Sequence, residues 1–148
     1  MHGHDPADDP IDRLEDWERE LLERARVAHL GFLDDRDRPR VLPVTFAVAE
    51  GSIWTAIDDK PKRPGTEPAR VRYLRRRPQA AITVDHYDDE WSRLAWVQVL
   101  GTVSILEPAA AREGIHALSD KYAQYRERPP PGPALRLDPS RAISWRGS

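Results

Sequence analysis

A short basic segment contains the side chains best suited to bind an anion. Lys60, Lys62 and Arg63 occur within DDKPKR, although the whole chain has only three lysines against twenty arginines. Pro61 stiffens the backbone between the two lysines and so restricts the spacing of their ammonium groups. A lysine ammonium is a compact, strongly hydrated point charge that suits phosphate oxygens. The segment is therefore either a phosphate- or polyanion-binding loop or an ordinary solvated loop.

The stretch that follows, GTEPARVRYLRRRP, has the pattern of a helix. Thr66 suits the N-cap, Pro68 suits the first turn, and the N-terminus of a helix attracts anions. Arg72 lies one or two turns into this helix and is the arginine expected to support the basic segment. The other arginines cannot share one face, so several of them are expected to be plain surface charges.

The stretch RVLPVTFAVAEG alternates like a strand and leads by a tight turn into a second strand, SIWTAID. Small residues such as Pro43 and Thr45 lie on one face of the first strand. Because proline cannot donate a ladder hydrogen bond, this strand is predicted to lie at a sheet edge or to contain a local break. Its bulky, core-facing residues are Leu42, Val44, Phe46 and Val48.

The order of the predicted elements indicates the fold class. A helix is followed by three strands, a helix, two strands, a helix and a final short strand, RAISWRG. Links of hairpin length favour antiparallel pairing, and six such strands predict a small barrel flanked by helices. Residues 1–9 are expected to be disordered, and residues 10–148 to form a single domain.

Composition excludes several kinds of function. The formal net charge of −2 argues against general affinity for nucleic acid. The chain has no cysteine for a disulfide or a thiolate site. It also lacks a long apolar run or a signal-peptide pattern, so a soluble cytoplasmic protein is expected. We find no nucleophile motif, metal motif or glycine-rich phosphate loop and assign no catalytic residue. Any chemistry would have to come from a bound cofactor.

The tryptophans differ in their predicted surroundings. Trp17 and Trp145 are expected in the core. Trp96 shares a less apolar strand face with Gln98 and is expected to pack on a ring or on a partner subunit.

Taken in order, five segments resemble a known family: HLGFLDDRDRPRVLPVTFAV, IWTAIDDKPKR, RVRYLRRRPQAAITVD, YDDEWSRLAWVQVLG and SWRG. They cover roughly residues 20–148. The chain resembles the split β-barrel oxidoreductases of the pyridoxamine 5′-phosphate oxidase-like superfamily, in the branch that uses the deazaflavin coenzyme F-420. The resemblance implies a mainly β (α+β) fold, a six-stranded antiparallel split β-barrel flanked by helices.

The same resemblance implies a cofactor site at the interface of a homodimer. One strand would run its backbone along the ring of the cofactor, at Pro43, Val44 and Thr45. The next strand would pass beside the ring and the ribityl chain, at Thr55, Ala56 and Ile57. The phosphate would be held by Lys60, Lys62 and Arg63, with help from Arg72. The partner subunit would contribute aromatic residues at the positions of Trp91 and Trp96.

The implied activity is hydride transfer between coenzyme F-420 and a small electron-poor organic substrate. An FMN-dependent enzyme is the alternative, although FMN would not need the extra positive charge that suits the acidic tail of F-420. The rival of another class is a non-catalytic protein that binds a flavin, a deazaflavin or a haem-like tetrapyrrole.

Overall fold

The computed structural model describes residues 9–57 and 67–148. Residues 1–8 of the predicted disordered terminus lie outside this range. The α-helices are α1 (Asp16–Arg24), α2 (Ala69–Arg76), α3 (Arg112–Lys121) and α4 (Ala123–Glu127). The strands are β1 (Ala28–Leu33), β2 (Pro39–Val44), β3 (Ala47–Ala49), β4 (Ser52–Ala56), β5 (Gln79–His86), β6 (Ala95–Leu106) and β7 (Ala134–Arg146). Short 3₁₀ turns cover Trp91–Arg93 and Pro108–Ala110.

The described strands form one antiparallel sheet in the order β2-β1-β5-β6-β7-β4-β3. The mainly β class and the antiparallel pairing are confirmed. The predicted count of six strands is wrong, because the single predicted strand RVLPVTFAV is divided into β2 and β3. These two pieces lie at opposite edges of the sheet, and no ladder closes it in the described part of the chain. Closure into a barrel therefore stays a prediction.

Helix α1 covers one face of the sheet and buries Leu21 and Leu22 against it. A capping box starts the helix, since Glu15 and Glu18 each accept a hydrogen bond from the other's backbone N–H. The residues around Pro10 precede the helix as a turn, in which the carboxylate of Asp9 accepts a hydrogen bond from the N–H of Ile11. No helix in the described ranges is long and apolar enough to cross a bilayer.

Helix α3 packs against β3 and β4 around Trp54, which is 2% exposed. Gly114 is required here, because a Cβ atom at this position would overlap the Trp54 indole. The segment PAAAREGIHALSDKYAQY forms a 3₁₀ turn followed by α3 and α4. This second apolar cluster carries the tyrosines Tyr122 and Tyr125 on the side of β3.

Strands β5, β6 and β7 form the longest ladder of the sheet. On β6, Val97, Val99 and Val103 face the core. The predicted short last strand is the end of the 13-residue β7, which pairs with β6 along its whole length apart from an irregularity near Gly101. Trp145 does not lie in the core, because its register opposite Trp96 turns it to the outer face, where it is 47% exposed.

The break between β2 and β3 falls at Thr45 and Phe46. Phe46 is fully buried, so its backbone N–H and C=O need partners inside the protein. The Tyr122 hydroxyl accepts a hydrogen bond from the Phe46 N–H at 3.1 Å. Its own proton is shared between the carbonyls of Phe46 at 3.1 Å and Arg26 at 2.9 Å. The predicted edge or break is confirmed. Tyr122, at the end of α3, satisfies the backbone N–H and C=O of Phe46 that the break leaves unpaired.

Replacing Tyr122 with Phe should lower the free energy of unfolding by about 1–3 kcal/mol, because a buried N–H then loses its acceptor. Urea unfolding at fixed protein concentration measures this change. Tyr87→Phe is the matched control, since Tyr87 is 66% exposed and should leave stability unchanged. Equal stability of the two variants would contradict the assigned role of the hydroxyl.

Candidate functional site

Strand β2 diverges from β4 on the N-terminal side of Phe46. We call the gap between the end of β2 and the end of β4 the split. β3 pairs with β4 through Ala47 and Trp54. If this register continued by two residues, Thr45 would lie opposite Ala56. Instead β2 turns away and pairs with β1, through Val44 and Ala28. The predicted ring-binding segments, Pro43 to Thr45 and Thr55 to Ile57, therefore border the same split.

Strand β2 offers main-chain groups to a ligand because it lies at the edge of the sheet. Pro43 is exposed, whereas Val44 packs against the core. This alternation agrees with the small outward face and the bulky inward face that the sequence predicts. A flat ligand beside β2 would meet backbone atoms and the Pro43 ring rather than large side chains.

Strand β4 borders the split with its backbone, since its side chains are buried. Thr55, Ala56 and Ile57 are 4%, 5% and 1% exposed. The ladder to β3 ends at Trp54, while the ladder to β7 continues to Ala56. The edge of Thr55 and Ala56 that faces away from β7 therefore has no strand partner in the described chain.

Tyr125, which the sequence analysis missed, ties the split to the last helix. Its hydroxyl lies 2.7 Å from the Thr45 hydroxyl. A cavity of about 870 Å³ adjoins Tyr125 and is lined further by α4 and by Pro129, Pro130 and Pro131. The three-residue spacing of Tyr122 and Tyr125 indicates that they lie on one side of the chain. It does not identify their hydrogen-bond partners, which are about 80 residues away in sequence.

Helix α2 uses three of its arginines structurally. Arg75 pairs with Glu67, and this hydrogen bond lowers the pKa of Glu67. Arg76 donates to the Asp35 carbonyl, and Arg77 pairs with Asp37. The contacts of Arg76 and Arg77 attach the C-terminal end of α2 to the turn between β1 and β2, so these arginines have structural partners in the described chain.

Arg72, like Arg70, forms no ion pair within residues 9–57 and 67–148, although its charge helps to lower the pKa of Glu67. It is exposed, and its guanidinium lies 5.8 Å from the Tyr73 ring. Arg72 therefore stays available to an anion. Lys60, Lys62 and Arg63 lie outside the described residues, and their role as a phosphate site stays a prediction.

Trp96 lies on β6, away from β2, and Trp91 lies in the 3₁₀ turn that precedes β6. Trp91 is 71% exposed, and Trp96 is half-buried on the outer sheet face. Strand β6, which carries Trp96, is three strand positions from β2. At about 4.8 Å per strand, that separation is roughly 14 Å. One chain alone does not bring these tryptophans to the ring-binding segments.

The outer face of the sheet leaves apolar side chains uncovered. Val41 and Trp145 are 65% and 47% exposed. The register places Val41, Leu100 and Arg141 along one cross-strand row, and Trp96 beside Trp145 in another. Uncovered apolar surface of this kind is typical of interfaces.

Lys121 places a buried ammonium group next to the break between β2 and β3. Its Nζ atom lies 3.7 Å from the centre of the Phe46 ring and 5.6 Å from that of Tyr122. Nζ makes no hydrogen bond within the described part of the chain. Burial lowers the pKa of Lys121 to about 8; the Arg26 guanidinium lowers it as well, and Glu23 acts in the opposite direction.

Comparisons with known proteins agree with this architecture. The family model for pyridoxamine 5′-phosphate oxidase matches residues 14–146. No curated protein matches the sequence significantly. A conserved hypothetical protein from Mycobacterium tuberculosis aligns with a TM-score of 0.73 at 19% identity, over 90% of this chain and 85% of that chain.

Two further solved structures carry descriptions of function. A putative 5-nitroimidazole antibiotic resistance protein from Bacteroides thetaiotaomicron aligns with a TM-score of 0.71 at 13% identity, over 89% of this chain and 83% of that chain. An FAD-binding protein from Mesorhizobium loti aligns with a TM-score of 0.64 at 17% identity, over 88% and 94%. At such identities the likeness shows the fold alone.

The stability of the protein should rise with pH between about 8 and 10.5 through Lys121. In that window the unfolded chain keeps the lysine proton and the folded chain has lost it. Unfolding therefore takes up a proton, and the free energy of unfolding rises as the pH increases. The gain should be about 1–2 kcal/mol, below the full ~3.4 kcal/mol of the shift, because the side chain is partly exposed. Urea unfolding at pH 7 and at pH 10 measures it.

Two variants isolate this contribution from other groups that titrate nearby, such as Tyr122. Lys121→Met should be more stable than wild type at pH 7 and should lack the lysine-dependent rise. Lys121→Arg keeps its charge at both pH values and should also lack the rise, without the gain at pH 7. An identical pH profile in wild type and Lys121→Met would refute the assignment.

Proposed function

Because the chain belongs to the pyridoxamine 5′-phosphate oxidase family, we propose that it is a homodimeric oxidoreductase that uses the deazaflavin coenzyme F-420. The observation that supports this most directly is the split, where β2 and the end of β4 each present a strand edge without a partner. A planar heterocycle can bind between two such edges through backbone hydrogen bonds. When bound, it would supply hydride transfer to an electron-poor acceptor.

The residues around the split would position the cofactor and exclude water. The Thr45–Tyr125 hydrogen bond holds the end of β2 against α4. The buried side chains of Thr55 and Ile57 make the floor of the split rigid. Such fixed surroundings favour alignment of donor and acceptor at contact distance. We assign no proton donor, and solvent can supply the proton.

The charge distribution supports a cofactor with a long anionic end. Arg72 is unpaired in the described chain and follows the basic segment that contains Lys60, Lys62 and Arg63. FMN carries a single phosphate and would use fewer of these charges, so it is the second candidate. The FAD-binding neighbour supports a flavin-type ring, and the nitroimidazole resistance neighbour supports a small electron-poor substrate.

A homodimer would complete the site. The uncovered outer face carries Trp96 and Trp145, and Trp91 is exposed beside it. Since β6, which carries Trp96, lies three strand positions from β2 within one chain, a second copy would bring Trp91 and Trp96 to the ring. The apolar rows on this face are suited to pack against their own copy around a two-fold axis.

Replacing Lys60 and Lys62 together with Ala should weaken cofactor binding by about 2–4 kcal/mol, or roughly 30- to 1000-fold, through loss of two charged hydrogen bonds. Fluorescence titration with F-420 and with FMN in parallel measures the affinity. The double variant Arg36→Ala/Arg112→Ala removes the same charge from exposed positions and is the control. Equal affinity of the lysine variant and wild type would show an ordinary surface loop; tighter binding of FMN would reverse the choice of cofactor.

Trp96→Ala should weaken both cofactor binding and dimerisation, because the indole lies on the proposed interface. Sedimentation equilibrium and titration measure the two effects, with Val27→Ala as an exposed apolar control. Mixing Trp91→Ala with Lys60→Ala/Lys62→Ala should restore one tight site in each mixed dimer. After random exchange about a quarter of all sites should therefore bind tightly. A dimeric Trp96→Ala protein with normal affinity, or no restoration on mixing, would remove the tryptophans from the site.

A further inference from the structure

A second cavity lies on the opposite side of the sheet from the tryptophan row. His86, Ala95 and Arg146 pair across β5, β6 and β7. Because side chains alternate along a strand, this row faces away from the row that contains Trp96 and Trp145. A cavity of about 500 Å³ lies between it and α1. The strand residues that line this cavity therefore face away from Trp96 and Trp145.

The lining of this cavity concentrates positive charge. Arg24 from α1, Arg93 from the 3₁₀ turn and Arg146 from β7 all line it, with Glu20 as the acidic side chain among them. In the described chain, Arg24, Arg146 and Glu20 form no ion pair. The nearest Arg93–Asp88 approach is 3.9 Å, which is longer than a hydrogen bond. Three guanidinium groups therefore lie together with few acidic partners among the described residues. An anion bound among them would reduce their electrostatic repulsion.

The same cavity has an apolar and aromatic part. Trp17, Leu21 and Leu94 line it beside the arginines. The Arg146 guanidinium lies 5.0 Å from the centre of the Trp17 ring, a cation–π arrangement that orders both side chains. Guanidinium planes and indole edges accept flat rings, and guanidinium groups also bind carboxylates bidentately.

We propose that this cavity is a binding site for a small aromatic carboxylate, distinct from the split between β2 and β4. Its volume falls in the range of small-molecule pockets. The carboxylate would lie among Arg24, Arg93 and Arg146, and the ring against Trp17 and Leu94. The proposal does not depend on the identity of the cofactor, and every one of these residues belongs to one chain.

Isothermal titration with 2-naphthoate and with its neutral isostere 2-naphthamide tests the proposal. We expect saturable binding of naphthoate that weakens with added salt, and affinity for the amide that is lower by about tenfold or more. Arg24→Gln/Arg146→Gln should lower naphthoate affinity by about tenfold or more. Arg36→Gln/Arg112→Gln removes two exposed arginines elsewhere and should leave it unchanged.

A second measurement on the wild-type protein needs no substitution. The His86 imidazole lines the cavity, so its Cε1 proton resonance should shift as naphthoate is added, whereas that of His116 on α3 should not. The proposal is overturned by any one of three results: no saturable binding of naphthoate, equal affinity for the amide, or unchanged affinity in Arg24→Gln/Arg146→Gln. A naphthoate shift at His116 alone would also overturn it.

Discussion

The hydroxyl of Tyr122 lets the chain pass from one edge of the sheet to the other. Where β2 ends, Phe46 is fully buried and has no strand partner. A buried backbone N–H or C=O without a hydrogen bond is costly, and one phenol satisfies both at this residue. Without that partner the strand would gain by continuing along its neighbour. The proposed cofactor site depends on the split beside β2 and β4. The split is possible because the Tyr122 hydroxyl satisfies the backbone groups at the break.

Side-chain alternation along β6 and β7 gives the two faces of one ladder different chemistry. Trp96 and Trp145 lie on the outer face, and Arg146 lies one residue further on the inner face. The outer face carries uncovered apolar side chains, which would suit a second copy of the chain. The inner face meets α1 and collects arginines around a cavity. A single pair of strands therefore separates a proposed assembly surface from a proposed anion site with no additional element.

Several features of the fold follow from local patterns in the sequence. Alternating bulky residues predict the core face of β2, and hairpin-length links predict antiparallel pairing. Pro43 predicts an edge or a break, and both occur near it. These features are readable because strand period and proline chemistry act within a few residues. The same holds for α2, whose crowded arginines could not all serve one ligand.

The remaining features depend on contacts between distant parts of the chain. The sequence by itself determined that a basic segment follows a strand and that an edge strand carries a small face. Tertiary structure decided that the break falls at Phe46, that Tyr125 contacts Thr45, and that Trp145 faces outward. Each of these depends on the register between segments about 50 to 80 residues apart. Local periodicity is the same in either register, so only the packing of the whole chain selects one.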